Sequence, residues 1–257
     1  MNHQHIGKRR FLRRALAGAG ALFLGGCDRL NDTTWFPKLL TAGESLSLNV
    51  HKALLPRLSM AQEFPASALS PTFRSNGTSE PDNEDYQTLA ENDFKDWRLS
   101  VDGLVQEKMQ FSLAQLRSMP SRTQITRHDC VEGWSAIGKW KGVPLKALLE
   151  AVRPAAGAKY IVFHCADPMN DDGTSPYYES IDMDDGVHPQ TILAYELNDQ
   201  ILPMENGAPL RLRVERQLGY KQAKYLMRIE LVDSLEHIHG GKGGYWEDHG
   251  YAWYAGI

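Results

Sequence analysis

The sequence predicts an α+β fold in a single domain. Three observations point there: strand-like and helix-like segments are mixed between Trp97 and Val232, no regular strand–helix period marks a doubly wound sheet, and no internal repeat is present. A chain of 257 residues is long enough to bury a substantial core. With 42% hydrophobic and 23% charged residues, its composition matches neither a disordered chain nor a multi-span membrane protein.

The elements follow in order. Residues 28–90 are rich in Pro, Ser, Asn and Thr, with turn signals at Ser70-Pro71, Ser75-Asn76-Gly77 and Glu80–Asp85. They read as an extended arm packed on the domain, with a short helix over Leu46–Leu58. The organised domain is expected over 91–235. Trp97–Val101 alternates as a strand does, and Asp102-Gly103 is a turn signal. Ser112-Leu113-Ala114-Gln115 is a capping box opening a helix that Pro120 ends. Thr123–Cys130 reads as a strand running into a turn at Gly133, and Val143–Val152 as a helix with Pro144 near its start. Ala158–Cys165, Tyr177–Met183, Ala208–Val214 and Ala223–Val232 read as strands, and Thr191–Leu197 as a short helix. Residues 236–257 form a flexible, Gly-rich aromatic tail; the favoured reading packs it on the surface, and the alternative has it cover the site entrance.

The first 27 residues have a different character. Lys8, Arg9, Arg10, Arg13 and Arg14 precede a Gly/Ala/Leu-rich run from Ala15 to Gly26. That run is shorter than the roughly 20 apolar residues a bilayer requires, so it reads as an export signal rather than a transmembrane helix. Gly7–Arg13 resembles a twin-arginine signal, with Lys8-Arg9 in register as the pair. Leu24-Gly25-Gly26-Cys27 resembles a lipobox, so a lipid anchor through Cys27 and a plain signal peptide both stand. The expected location is the periplasm. The 28 Lys and Arg against 32 Asp and Glu give −4 overall, and five of the cations sit in the leader with no acid. The remainder is therefore strongly acidic, which argues against a nucleic-acid partner.

Four segments carry candidate chemistry. In Arg127-His128-Asp129-Cys130-Val131-Glu132-Gly133-Trp134-Ser135, a cysteine at a strand end has cations beside it that can favour the thiolate, the form that binds soft metals. The bland alternative is a buried structural cysteine, or a disulfide with Cys165. In Asn206–Arg213, a Gly and a Pro lead into a strand with Arg211 and Arg213 on one face, suited to gripping phosphate. The alternative there is an edge strand with solvated charges. Gly219-Tyr220-Lys221-Gln222-Ala223-Lys224 offers backbone amides and ammonium groups to an anion without P-loop spacing. His188–Glu196 looks like a helix start.

Taken in order, Asp129–Ser135, Trp140–Leu145, Ala158-Lys159-Tyr160, His188-Pro189, Asn206–Arg211 and Gly219–Lys224 resemble the sulfite oxidase superfamily over residues 83–235. They are most similar to its bacterial periplasmic methionine sulfoxide reductase branch. The resemblance implies a single molybdopterin-binding domain of mixed sheets and short helices, holding a molybdenum–molybdopterin cofactor. It makes Cys130 the metal ligand and catalytic residue, with Arg127 beside it. Asn206, Arg211, Lys221, Gln222, Ala223 and Lys224 become cofactor contacts. Cys165 closes a cofactor-contacting strand where the branch carries Thr. Asn83, Tyr86 and Gln87 match an upstream Asn-x-x-Tyr-Glu contact, with Gln in place of Glu.

The implied reaction is two-electron oxo transfer on a small sulfur-containing substrate, a sulfite or a sulfoxide. The chain has no Cys-x-x-Cys-His haem motif and too few cysteines for an iron–sulfur cluster, so a separate electron-transfer partner is expected, with a membrane cytochrome as one candidate. Sulfite would call for an arginine-rich pocket, for which Arg127, Arg213 and Arg216 are the candidates. Two rival classes are a zinc hydrolase using His164, Cys165, Asp167 and His188, and a non-catalytic periplasmic anion-binding module.

Overall fold

The computed structural model describes residues 33–54, 59–170 and 175–257. The expected export signal and Cys27 lie outside the described residues. Two units are present, 1–54 and 55–257. In the first, the described residues form one helix, α1 (Phe36–Leu54), which starts ten residues before the helix expected in the arm. No helix among the described residues is long and apolar enough to cross a membrane.

The second unit is built on two five-stranded sheets. In chain order its helices are α2 (Glu84–Glu91), α3 (Leu113–Ser118), α4 (Leu145–Val152), α5 (Met183–Gly186) and α6 (Tyr245–Asp248). Its strands are β1 (Arg98–Gly103), β2 (Met109–Ser112), β3 (Arg122–Asp129), β4 (Ser135–Pro144), β5 (Tyr160–Pro168), β6 (Pro176–Asp182), β7 (Ile192–Leu197), β8 (Gln200–Ile201), β9 (Arg211–Arg213) and β10 (Leu226–Val232). The first sheet runs β2-β1-β10-β5-β6, with β1 and β10 parallel. The second runs β3-β4-β7-β8, with β9 paired to β7.

Alternation decides which face of each strand is buried. In β1, Leu99 and Val101 turn inward while Arg98 and Gly103 are exposed. These two join Ile161, Phe163, Ile229 and Leu231 of the first sheet, and Val143, Leu193 and Leu212 of the second, in one apolar core. Helix α4 closes that core with Leu145, Leu148, Leu149 and Val152. The capping box at α3 is complete: Ser112 Oγ accepts from Gln115 N, and Gln115 Oε1 accepts from Ser112 N at 2.8 Å.

Two expectations about elements are corrected. Residues 192–197 form β7 rather than a helix, because β4, β8 and β9 flank the segment and its backbone bonds go to them. All but one of its residues are buried, so it lacks the polar face a surface helix would show. The tail is not loose. Trp253 Nε1 donates to Ser180 Oγ at 2.8 Å, Leu218 N to Ala255 O at 2.9 Å, and Gln217 forms a bridge with Gly256.

The arm also has a fixed course over its described part. Phe64 N donates to Ile125 O on β3, and Ser70 N to Ile137 O on β4. Phe73 packs edge-on against buried Trp140 at 4.9 Å between ring centroids. This path carries Asn76, Gly77 and Thr78 to the mouth of the site.

Candidate functional site

Strand β3 ends in a tight turn, Cys130–Gly133, which returns the chain as β4. Cys130 N donates to Trp134 O and Gly133 N donates to Cys130 O. Gly133 has a φ of 85°, which side chains rarely tolerate, so the turn needs the glycine. The turn holds Cys130 half-buried at the wall of a cavity of about 210 Å³. The opposite walls come from Gly219, Gln222 and Lys224, from Asp167 beyond Cys165 on β5, from Asn76–Thr78 of the arm, and from Trp246 and Tyr251 of the tail.

Beneath Gln222 and Lys224 lies a buried cationic layer. Arg211 is fully buried; its Nη1 donates to Asn206 O at 2.8 Å and its Nη2 to Gln222 O at 3.1 Å. Burial, then the neighbouring Arg213, brings Arg211 down to about 9. Both guanidiniums lie over the Trp140 ring, 5.0 and 4.4 Å from its centroid. Lys224 donates to Asn76 O, Thr78 O and Glu205 O, and burial with Arg211 nearby holds it down to about 7.

The electrostatics at Cys130 differ from the expectation. Burial raises the thiol's pKa, with the Glu132 charge adding to it, and the cation acting against that rise is Arg74. Arg127 points out of the site: its Nε pairs with Asp129 Oδ2 at 2.9 Å, and both line a separate, smaller cavity. The cause is strand alternation, since 126 and 128 are the buried positions of β3 and 127 is exposed. His128 is not a cation either. Burial, then Arg213 and Arg211, hold it well below its ordinary value, and its Nδ1 accepts from Arg213 Nη1 at 3.1 Å. A Cβ at Gly219 would stand 2.5 Å from His128 Nε2, so this loop passes the ring only as glycine.

The remaining sequence candidates divide clearly. Lys221 is sealed from the cavity, its Nζ 2.5 Å from both Glu179 Oε1 and Glu247 Oε1. Ala223 is buried in the core and its carbonyl accepts from Leu212 N. Cys165 is buried in the same core, where burial raises it well above its ordinary value. Asn83 is the N-cap of α2, its Oδ1 accepting from Tyr86 N at 2.9 Å. Tyr86 OH donates to Ala208 O at 2.7 Å and Gln87 Nε2 to Pro81 O at 2.7 Å. Tyr86 braces the Asn206 turn through Ala208, and none of the three lines the cavity. Arg213 and Arg216 are each committed to a carboxylate, Glu215 and Asp185 respectively.

The zinc grouping does not assemble. His164 Nε2 is bonded to Glu230 Oε2 at 3.0 Å and His188 Nε2 to Ser59 O at 3.1 Å. Among the described residues, no group of three or more His, Cys, Asp or Glu is placed to hold a metal ion. Cys130 and Cys165 are both free thiols, so the disulfide alternative is also removed.

A family profile described as "Oxidoreductase molybdopterin binding domain" matches residues 86–239. The chain belongs to the sulfite oxidase superfamily of molybdopterin-dependent oxidoreductases. Within it, the chain is 38% identical to the putative protein-methionine-sulfoxide reductase subunit YedZ1 of Azospira oryzae, over 97% of this chain and 87% of that one. It is 41% identical to the protein-methionine-sulfoxide reductase catalytic subunit MsrP of Ralstonia nicotianae and 39% identical to that of Burkholderia mallei. Each of those two alignments covers 53% of this chain and 44% of the relative. The solved structure of the sulfane dehydrogenase SoxCD from Paracoccus pantotrophus shares the fold, with a TM-score of 0.50 and 23% identity over 59% of this chain and 45% of that one.

The cavity suits a molybdopterin. The group carries an anionic phosphate and a ring rich in donors and acceptors, and the walls supply matching chemistry. Asn76 Oδ1 and Asn206 Nδ2 are buried atoms with no hydrogen-bond partner, at or behind those walls. Buried polar atoms of this kind are rare unless a ligand or water completes them. Sequence reasoning missed Asn76–Thr78, and it ranked the tail that carries Trp246 and Tyr251 as surface-packed ahead of covering the site, because nothing local announces which distant loops close a cavity.

Proposed function

We propose that this chain is the catalytic part of an exported molybdenum enzyme that reduces a sulfoxide. In this reading Cys130 ligates the molybdenum, while Asn206, Arg211, Gln222 and Lys224 hold the molybdopterin. The observation that carries it is the opening of the Cys130 thiol and the Lys224 ammonium onto one cavity, with Arg211 directly behind. When bound, the group would supply a metal able to change by two electrons and so exchange an oxygen atom with sulfur.

The protein's own residues favour a neutral substrate. Among the described residues Lys224 is the one cation lining the cavity, its protons already face three carbonyls, and Glu132 adds negative charge. A doubly charged sulfite would be poorly compensated there. Met169, Tyr177, Trp246 and Tyr251 offer apolar walls that suit a thioether-type sulfoxide. The names of the YedZ1 and MsrP relatives point the same way. Electrons would come from a separate partner, consistent with the "subunit" in those names, and the leader supports a periplasmic location with Cys27 as an acylation site.

The test is production in a molybdopterin-competent host, followed by elemental analysis, absorption spectroscopy and turnover of methionine sulfoxide and of sulfite. Molybdenum at one per chain, a thiolate-to-metal band and sulfoxide consumption are expected. Cys130→Ser should lose band and turnover while melting as the wild type does. Zinc alone, or faster sulfite oxidation, would overturn the reading.

A further inference from the structure

Sulfoxide reduction consumes protons as well as electrons. The S–O bond breaks, sulfur takes a lone pair, and the oxygen leaves as water once two O–H bonds have formed. Two electrons arrive singly from a one-electron carrier protein, and each needs a proton. We propose that Asp167 is the acid that delivers these protons to the departing oxygen, an inference that rests on the sulfoxide reading above.

Asp167 is 4% exposed, lies near the end of β5, and lines the same cavity as Cys130. Its Oδ1 has no hydrogen-bond partner. Among the described lining residues, the other carboxylate, the phenols and the ammonium are occupied. Glu132 is exposed and accepts from Trp134 Nε1 at 2.9 Å. Tyr177 OH donates to Tyr220 O, and Tyr220 OH to Ala252 O at 2.7 Å. The Lys224 ammonium faces three carbonyl oxygens. Among the described lining residues Asp167 is therefore the buried carboxylic acid with capacity left over.

Its surroundings keep the proton transferable. Burial raises Asp167 to about 6, opposed by its own backbone amide, Lys224 and the Thr78 hydroxyl. The other groups facing it are neutral at that pH: burial raises the Cys165 thiol and the phenols of Tyr86, Tyr177 and Tyr225. An acid titrating close to the working pH both gives up and regains a proton readily. In each cycle the Asp167 O–H bond breaks toward the sulfoxide oxygen, and the carboxylate is reloaded from solvent through the cavity mouth before the next electron arrives.

The test compares wild-type holoenzyme with Asp167→Asn and Asp167→Glu, with molybdenum content measured for each. In the wild type, kcat should fall as pH rises through about 6. Asp167→Asn should lose roughly 100-fold or more in kcat and flatten that limb, while Asp167→Glu restores the limb. Independently of turnover, difference infrared titration of the wild type should show a protonated carboxyl band that disappears on raising the pH and is absent from Asp167→Asn. A fully loaded Asn variant with wild-type kcat and pH profile overturns the proposal. So does a wild type without the infrared band, which decides the matter even if the Asn variant fails to load. A wild type that loads molybdenum but reduces no sulfoxide removes the parent reading as well.

Discussion

The Lys221 ammonium donates to Glu247 Oε1 at 2.5 Å, with both side chains cut off from solvent. Glu179 completes a buried carboxylate–ammonium–carboxylate group in which Glu179 Oε2 and Glu247 Oε2 lack partners. This group fastens the tail helix, which carries Trp246, to the loop that carries Gln222 and Lys224. Lys221→Met leaves two buried carboxylates facing each other and should cost about 3–5 kcal/mol. The expected result is a lower melting temperature and early proteolytic cleavage within 236–257. A variant as stable and as protease-resistant as the wild type would show that the tail is held by its other contacts.

Arg211 and Arg127 should respond in opposite ways. Arg211→Lys keeps the charge but cannot span Asn206 O and Gln222 O with one planar fork. Bound molybdopterin should fall by about tenfold or more, as when the groups orienting a ligand are lost. Arg127→Ala removes an exposed pair with Asp129, worth about 0–1 kcal/mol, and should leave cofactor content and turnover unchanged. Cofactor release and fluorescence of the oxidised pterin measure both.

Stability should depend on pH through Asp167 with a definite sign. Its folded value, about 6, lies above the ordinary 3.8, so its favourable contribution is complete below 3.8 and is lost as pH rises through 6. Asp167→Asn, which cannot ionise, should therefore be the more stable protein at pH 8, by about 3 kcal/mol, and close to wild type at pH 4. Urea midpoints at the two values check this.

Phe73 tests the arm. It is 7% exposed and packs on Trp140, so Phe73→Ala should cost about 3–5 kcal/mol. The same change should weaken cofactor retention, because Asn76–Thr78 follow Phe73 directly to the cavity. A destabilised variant that still loads fully would separate the two roles.

Much of the domain was legible where local rules govern. The capping box at Ser112, the Pro144 start of α4 and the alternation of β1 each depend on a few neighbouring residues, and each was found. The Cys130 turn and the Asn206–Arg211 segment were visible as odd residues in otherwise regular structure. Non-local competition was not legible. β7 is a strand because β4, β8 and β9 claim its backbone, and Arg127 faces away because the register of β3 buries its neighbours. Lys221 and Lys224 look equivalent in sequence; only the distant Glu179 and Glu247 show that the first is already neutralised.

Among the described residues the cavity has five contributors: the arm at 76–78, the Cys130 turn, the paired β5 and β6 through Asp167, Met169 and Tyr177, the 219–224 loop, and the tail at 246–251. No two of them are adjacent along the chain. A large ligand thus meets a finished receptacle only after the ribosome has released the last of these segments and the tail has docked. Loading is set by this geometry as a post-translational event, and a partly synthesised or clipped chain would be unable to retain its cargo even with every ligating side chain present.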